Sequence, residues 1–288
     1  MKQRMVTAFC PGHISGYFRR VGGDSIASTG SIGAGIVISE GVTVTVNPSD
    51  TISVSVWRRE ASGNRIQYSR SSPLLENVLS NLGVTVSVMT ECRLPIGAGF
   101  GLSAAALLAT LTAVNQCLDL GLTPRNIALL AHEAEVVHRT GLGDVAACQG
   151  GGRVVRSGPG IDGAIDRLFD LPEPLHAVSF GPISTPSVLG SQEQMDRVSA
   201  AYPLFPPEHA QDFFRISQLF AEKSGLLTRD ARAVIRQCAD RNIPASMTML
   251  GNGVFAYGRE AQAILSAFGE VYTFTVARSG ARIIGAYV

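Results

Sequence analysis

The sequence predicts an α+β protein of two domains, and three observations carry that expectation. The first third is dominated by short apolar or alternating segments of strand length. The middle holds two helical stretches that follow a glycine-rich loop. The last part alternates single strands with helices over a short span. At 288 residues the chain is long enough for two modest domains. Hydrophobic residues make up 45% and charged residues 16%, which fits a chain that closes a sizeable core. The net charge of +1 gives no electrostatic reason to hold nucleic acid or an anionic membrane, so neither is expected as a partner.

Taken in order, Met5 to Cys10 reads as a short apolar strand that stops at Pro11-Gly12. Ile36 to Asn47 reads as a strand pair turned near Glu40-Gly41. Thr51 to Arg58 alternates Ile52, Val54 and Val56 with Thr51, Ser53 and Ser55, the pattern of a half-buried strand. Pro73 to Leu82 has the length of a short helix, and Val84 to Met89 alternates again. Gly101 to Leu120 is rich in Ala and Leu, lacks proline and ends at Gly121, which predicts a helix. Thr123-Pro124 supplies an N-cap and an N1 proline for a second helix running to about His138. Gly141-Leu142-Gly143-Asp144 reads as a turn. Loop composition around Ser157 to Gly160 places a boundary there, giving domains 1–160 and 161–288. Beyond it come a strand at Leu175 to Phe180, helices near Glu208–Glu222 and Thr228–Asn242, a strand at Ala245 to Tyr257 interrupted by Gly251-Asn252-Gly253, a helix at Glu260 to Phe268 and a strand at Val271 to Val276. That order suggests a ferredoxin-like sandwich.

The five cysteines (Cys10, Cys92, Cys117, Cys148, Cys238) are scattered and no pair has C-x-x-C spacing, which reads as reduced thiols in a cytoplasmic protein. Lys2 and Arg4 have no apolar run behind them, so no signal peptide is expected, and the longest apolar run, Leu102 to Val114, is shorter than the ~20 residues a membrane span needs.

The chemistry concentrates in Leu94-Pro95-Ile96-Gly97-Ala98-Gly99-Phe100-Gly101-Leu102-Ser103-Ala104-Ala105, between a predicted strand and a predicted helix. Three glycines at alternate positions let backbone come close to a ligand, and the helix start presents free N–H groups and a positive dipole end. Together these suit a phosphate. A Walker A loop is excluded because no Gly-Lys-Ser/Thr is present. A dinucleotide fingerprint is disfavoured because Leu102 stands at the third glycine position and no acidic residue follows on a second strand. A helix entry using small residues only for packing is the remaining alternative for the loop by itself.

Pro-x-Gly-x-Gly-x-Gly-x-Ser-Ala-Ala resembles the central motif of the GHMP kinases. Phe9-Cys10-Pro11-Gly12-His13-Ile14-Ser15-Gly16 resembles the first motif of that family, and Met247-Thr248-Met249-Leu250-Gly251-Asn252-Gly253-Val254-Phe255 the third. The order is that of the family and the three motifs span nearly the whole chain. Cys10-Pro11-Gly12-His13, Gly30-Ser31-Ile32-Gly33-Ala34-Gly35, Thr140-Gly141-Leu142-Gly143-Asp144-Val145 and Met249-Leu250-Gly251-Asn252 are most similar to the archaeal pantoate kinase branch. The resemblance implies an N-terminal domain like the second domain of ribosomal protein S5, a ferredoxin-like C-terminal domain, ATP with Mg²⁺, and phosphorylation of pantoate on the way to coenzyme A. Because family members are often dimers, it also implies a homodimer. Three departures stand out: His13 replaces the first motif's lysine, Leu102 replaces the first of two central serines, and Asn252 interrupts the glycines of the third motif.

The implied roles fall on particular residues. Pro95, Gly97, Ala98, Gly99, Phe100, Gly101, Leu102 and Ser103 are expected to hold the phosphates, mainly through backbone N–H groups. Ser103 and Glu135 are expected to hold the metal, with Glu133 the alternative to Glu135. Asp144 is expected to receive or orient the acceptor hydroxyl, with His13 nearby. Ser31, Gly33, Ala34 and Gly35 are expected to line the acceptor pocket, with Gly251 and Asn252 closing it. The substrate carboxylate calls for an arginine: Arg19, Arg20, Arg139 and Arg153 lie near the motifs in sequence, with Arg19 and Arg139 taken as candidates. The adenine pocket is expected between Ser39 and Arg70.

Overall fold

The computed structural model describes residues 4–287. Two long strands organise it: β1 (Met5–Val21) and β2 (Gly30–Pro48) pair antiparallel along almost their whole length. They are followed by β3 (Ser53–Arg59), β4 (Arg65–Ser69), α1 (Pro73–Asn81), β5 (Val86–Cys92), α2 (Leu102–Leu118), α3 (Pro124–His138), α4 (Asp144–Cys148), β6 (Arg153–Arg156), β7 (Ile165–Leu168), β8 (Leu175–Pro182), α5 (Thr185–Gly190), α6 (Gln192–Ala201), α7 (Ala210–Lys223), α8 (Arg229–Ala239), β9 (Ala245–Met247), β10 (Gly251–Tyr257), α9 (Ala261–Leu265), β11 (Val271–Phe274) and β12 (Arg282–Tyr287).

The first sheet has eight strands in the order β12-β1-β2-β5-β3-β4, with β6 paired to β2 and β7 to β6. The second has four, in the order β11-β8-β10-β9. All pairs are antiparallel except β3 with β5. One half of β2, Val42 to Pro48, pairs β5, while Gly33 to Ile36 pairs β6, so the same strand serves two neighbours.

The structure corrects the reading of the first third. β1 does not stop at Pro11-Gly12, nor does Glu40-Gly41 turn a hairpin. Both strands run on, and the register slips between Pro11 and Gly12, opposite Gly41. Pro11-Gly12 and Gly41 mark a bulge rather than a turn, because a proline and a glycine can sit where one ladder bond is skipped. A second slip falls between Ser15 and Tyr17. There Gly16 leaves room for Phe213 and Ser217 of α7, which packs on both β1 and β9 and so ties the two sheets together. The short 3-residue β9 and the turn before β10 replace the single interrupted strand expected there, and α4, α5, α6, β4, β6, β7 and β12 have no counterpart in the sequence reading.

The helices follow their sequence signals closely. α2 carries Leu or Ala at most positions and buries Leu102, Leu107, Leu108, Leu111 and Val114 against β1 and β2, as a helix apolar on nearly all sides must. Thr123 caps α3 reciprocally with Asn126, and Pro124 takes the first turn. Phe213, Phe214 and Phe255 form an aromatic cluster under the second sheet, each burial contributing roughly 1.5–3 kcal/mol. No described helix is long and apolar enough to cross a membrane.

Candidate active site

The glycine loop spans the gap between β5 and α2, and its three glycines Gly97, Gly99 and Gly101 all have positive φ, 78°, 84° and 63°. α2 therefore begins from a left-handed residue, and its first N–H groups face the loop rather than a capping side chain. β1 is fastened to this loop by backbone: the His13 N–H donates to Phe100 O at 2.9 Å. The second sheet reaches it too, through Ile183 N–H to Gly97 O at 3.3 Å.

A cavity of about 520 Å³ opens over the loop. Its lining includes the largely apolar set Val56, Tyr68, Ser69, Pro73, Leu75 and Thr90, the polar set His13, Ser103, Thr140 and Asp144, and Ile183, Met249 and Leu250 from the connections of the second sheet. The largely apolar set comes from β3, β4, α1 and β5, partly within the Ser39 to Arg70 span expected for an adenine pocket and partly beyond it.

His13, within β1, and Asp144, the first residue of α4, are far apart in sequence and meet at 2.6 Å, Nδ1 to Oδ1. Burial pushes the Asp144 carboxyl up, but the His13 hydrogen bond and the Arg156 guanidinium act against it, and the carboxyl is held below its ordinary value. Burial in turn pushes the His13 ring down against the pull of Asp144. The consistent state is an ionised Asp144 that only accepts and a neutral His13 whose Nδ1–H donates. His13 Nε2 is then a buried acceptor with no hydrogen-bond partner among the described residues. The ring has space because residue 35 is glycine: a Cβ there would lie 2.2 Å from Nε2.

Ser103 donates from its hydroxyl to Glu135 Oε1. Glu135 is buried, and its Oε2 has no partner among the described residues. Burial first and the Asp144 charge second push its pKa up to about 8, so the carboxyl carries a proton at neutral pH. Both carboxylates reach the space beside Gly141, where a Cβ would sit 2.1 Å from Glu135 Oε2 and 3.1 Å from Asp144 Oδ2.

The arginine whose charge acts on Asp144 is one the sequence reading passed over. Arg156, opposite Gly33 in the β2–β6 ladder, is 2% exposed and donates from Nη1 to Ser31 O at 3.1 Å and to Ser31 Oγ at 3.0 Å. Gly143 makes way for it: a Cβ there would lie 1.5 Å from Nη1. Asp144 is the leading charge acting on Arg156 after burial. The four arginines considered from sequence lie elsewhere. Arg19 stacks over Tyr202, 4.5 Å from the ring centroid. Arg20 is exposed. Arg139 closes α3 in a left-handed conformation and reaches toward Gly190. Arg153 is buried in a two-pronged pair with Asp170. No strand was expected over Arg153 to Arg156, and nothing in the local sequence marks Arg156 out.

Of the remaining expected residues, Gly97, Gly99, Phe100, Gly101, Leu102 and Ser103 line the cavity. Ser31 lies behind Gly143 with Arg156, and Gly33, Ala34 and Gly35 form the strand beside them. Gly251 packs on the backbone of Ala98. The Asn252 side chain turns away to α8, accepting from Thr228 Oγ1 at 2.6 Å and donating to Asp230 at 3.2 Å.

Residues 70–152 match the model of the GHMP kinases N terminal domain. The chain is 46% identical over 284 residues to the pantoate kinase of Methanospirillum hungatei, covering 99% of this chain and 98% of that one. It is 34% identical to the pantoate kinase of Thermococcus kodakarensis, covering 90% of this chain and 89% of the other. Among solved structures, a phosphotransferase related to the CoA biosynthesis pathway superposes with a TM-score of 0.76 at 27% identity, over 98% of this chain and 100% of that one. The mevalonate diphosphate decarboxylase of Staphylococcus aureus, at 13% identity and a TM-score of 0.63, shares the fold. With the phosphate loop, its flanking motifs and the matched full-length relatives in agreement, the chain belongs to the GHMP kinases and, within them, to the pantoate kinase family.

Proposed function

We propose that the chain transfers the γ-phosphate of ATP to the primary hydroxyl of (R)-pantoate, giving 4-phosphopantoate for coenzyme A synthesis. The observation that carries this reading is the His13–Asp144 pair in the cavity over the glycine loop: an ionised carboxylate, with the charge of the buried Arg156 acting on it, where a hydroxy acid would approach a bound phosphate. Backbone N–H groups of Gly97 to Ser103 cradle the β- and γ-phosphates. The adenine lies along Val56, Pro73 and Leu75.

Phosphoryl transfer is mostly positioning and charge neutralisation. Asp144 Oδ accepts the hydroxyl proton or aligns that hydroxyl, and the neutral His13 holds the carboxylate through Nδ1–H. Arg156 takes the substrate carboxylate, since the arginines named from sequence are stacked, exposed or paired elsewhere. Ser103 Oγ and Glu135 Oε2 are hard oxygens that would hold Mg²⁺, the second a buried atom without a hydrogen-bond partner among the described residues. When bound, the ion neutralises phosphate charge. Glu133 is left outside this arrangement.

The direct test is to incubate the protein with ATP, Mg²⁺ and (R)-pantoate and identify the product by mass, with homoserine, shikimate and mevalonate in parallel. A phosphoester of pantoate is the expected product; turnover of another acceptor with none from pantoate would overturn the reading.

A further inference from the structure

We propose that Leu250 is a positioning residue that keeps water off the phosphoryl group during transfer. The proposal rests on the ATP-dependent reading of the site and concerns which nucleophile that site admits.

Four non-glycine residues have positive φ among the described residues: Asp119, Arg139, Asn242 and Leu250. Asp119 and Arg139 close helices, and Asn242 sits just past the end of α8. Helix ends commonly finish in this conformation, and Asn and Asp tolerate it. Leu250 is different. It is the third residue of a tight turn closed by the Gly251 N–H to Thr248 O at 3.1 Å, and its φ is 61°. That position is ordinarily Gly or Asn, because a side chain there strains the backbone.

The turn has no freedom to relax. Met249 N–H donates to Ser15 O at 3.3 Å. A Cβ on Gly251 would lie 2.1 Å from Ala98 C and O, and one on Gly99 would lie 2.7 Å from Met249 O. The turn is thus laid backbone to backbone on the phosphate loop. A glycine at 250 would fit the same path without strain, yet the chain keeps a half-buried leucine that lines the cavity, as Ile96 and Ile183 do. Strained residues persist where the surroundings hold them, and they gather where the strain serves a site.

The placement suggests what that side chain does. In productive transfer the acceptor hydroxyl oxygen bonds the γ-phosphorus, the bond from phosphorus to the bridging oxygen of ADP breaks, and Asp144 receives the proton. In the wasteful reaction a water oxygen forms the new bond, ADP departs with the same electron pair, inorganic phosphate results, and the water proton passes to solvent. The two reactions share donor, loop and leaving group and differ only in the nucleophile. An apolar cover of Leu250, Ile96 and Ile183 gives water no hydrogen-bonding partner there and discriminates against the second reaction.

The test measures ADP and phosphopantoate together in the wild type, Leu250→Gly and Leu250→Asn, with thermal unfolding of each protein. Wild type is expected to form the two products in equal amounts. Both variants are expected to form several-fold more ADP than phosphoester and to hydrolyse ATP several-fold faster without acceptor. Leu250→Gly is expected to unfold within about 4 °C of wild type, since relief of strain offsets lost packing. An unchanged product ratio overturns the proposal, as does a Leu250→Gly protein that unfolds far below wild type or fails to fold, since either outcome assigns the leucine to packing. A wild type that makes no phosphopantoate overturns the reading of the site itself, and the proposal with it.

Discussion

The two ends of the cavity are built in opposite ways. The end proposed for the phosphates is one continuous stretch, Gly97 to Ser103, whose backbone is shaped by three positive-φ glycines and leads into the start of α2. The end proposed for the acceptor brings together side chains from four places: His13 on β1 and Asp144 at the start of α4 line the cavity, and Ser31 on β2 and Arg156 on β6 are buried behind Gly143. A backbone site needs only the right local conformations and is indifferent to most of its side chains. A side-chain site depends on sheet register, because a one-residue slip of β6 against β2 would turn Arg156 to the other face. Substitutions at the two ends should therefore fail differently, through donor binding and folding at one and through chemistry and acceptor binding at the other.

The largest effect is expected at the acceptor end. Asp144→Asn keeps the shape but removes the ionised acceptor that His13 and Arg156 hold. We expect kcat to fall roughly 10²–10⁴-fold with the KM for ATP little changed, as for loss of one general base. Steady-state kinetics with both substrates varied checks this, and an Asp144→Asn enzyme of full activity would remove that residue from the mechanism.

At the phosphate end the prediction is structural. Gly99→Ala would place a Cβ 2.7 Å from Met249 O at a φ of 84°, so overpacking and backbone strain act together. The cost is about 2–4 kcal/mol. Thermal unfolding should show the loss directly, and the surviving folded protein should bind ATP more weakly than wild type while its KM for the acceptor moves less.

This contrast also explains what could be read in the sequence. The loop, α2 and α3 were legible because their signals are local: glycine spacing, an Ala/Leu run, a Thr-Pro helix start. The first strands were misread at Pro11-Gly12 and Gly41 because a bulge and a turn use the same residue types, and only pairing tells them apart. Arg156 was missed for a related reason. Its role follows from lying opposite Gly33 and behind Gly143, 13 residues on from that glycine, and no local pattern announces a register. Asn252 was read with its glycine neighbours, yet its side chain serves the α8 cap formed by Thr228. Strand β12 went unread because the residue types from Arg282 to Tyr287 show no polar–apolar alternation, and only its pairing with β1 makes it a strand.

A smaller effect is expected for Arg156→Met, which keeps much of the volume and removes the charge. The KM for the acceptor should rise roughly 10–100-fold, the scale of one charged hydrogen-bonding partner, while the KM for ATP changes little. Because Arg156 helps keep Asp144 ionised, the acid limb of the kcat/KM profile should also move to higher pH. A variant whose ATP and acceptor constants change together would place Arg156 in the framework shared by both ends.

Glu135 joins the two ends, and its effect is read as a shift with pH. In the folded protein burial and the Asp144 charge raise its pKa from 4.5 to about 8. Between those values the folded chain holds a proton that the unfolded chain has released. Its contribution to stability is therefore fully present below about pH 4.5 and is lost as pH rises through about 8. In the absence of nucleotide and divalent ions, the melting temperature of the wild type should fall across that window. Glu135→Gln, which keeps an uncharged side chain at every pH, should show a flatter profile. Mg²⁺ must displace the proton to use this carboxylate, so stabilisation by Mg²⁺ with nucleotide should grow from pH 6 to pH 9 in the wild type and vanish in the glutamine variant. A wild type whose Mg²⁺ response is independent of pH would place the ion away from Glu135 and leave Ser103 to the phosphates alone.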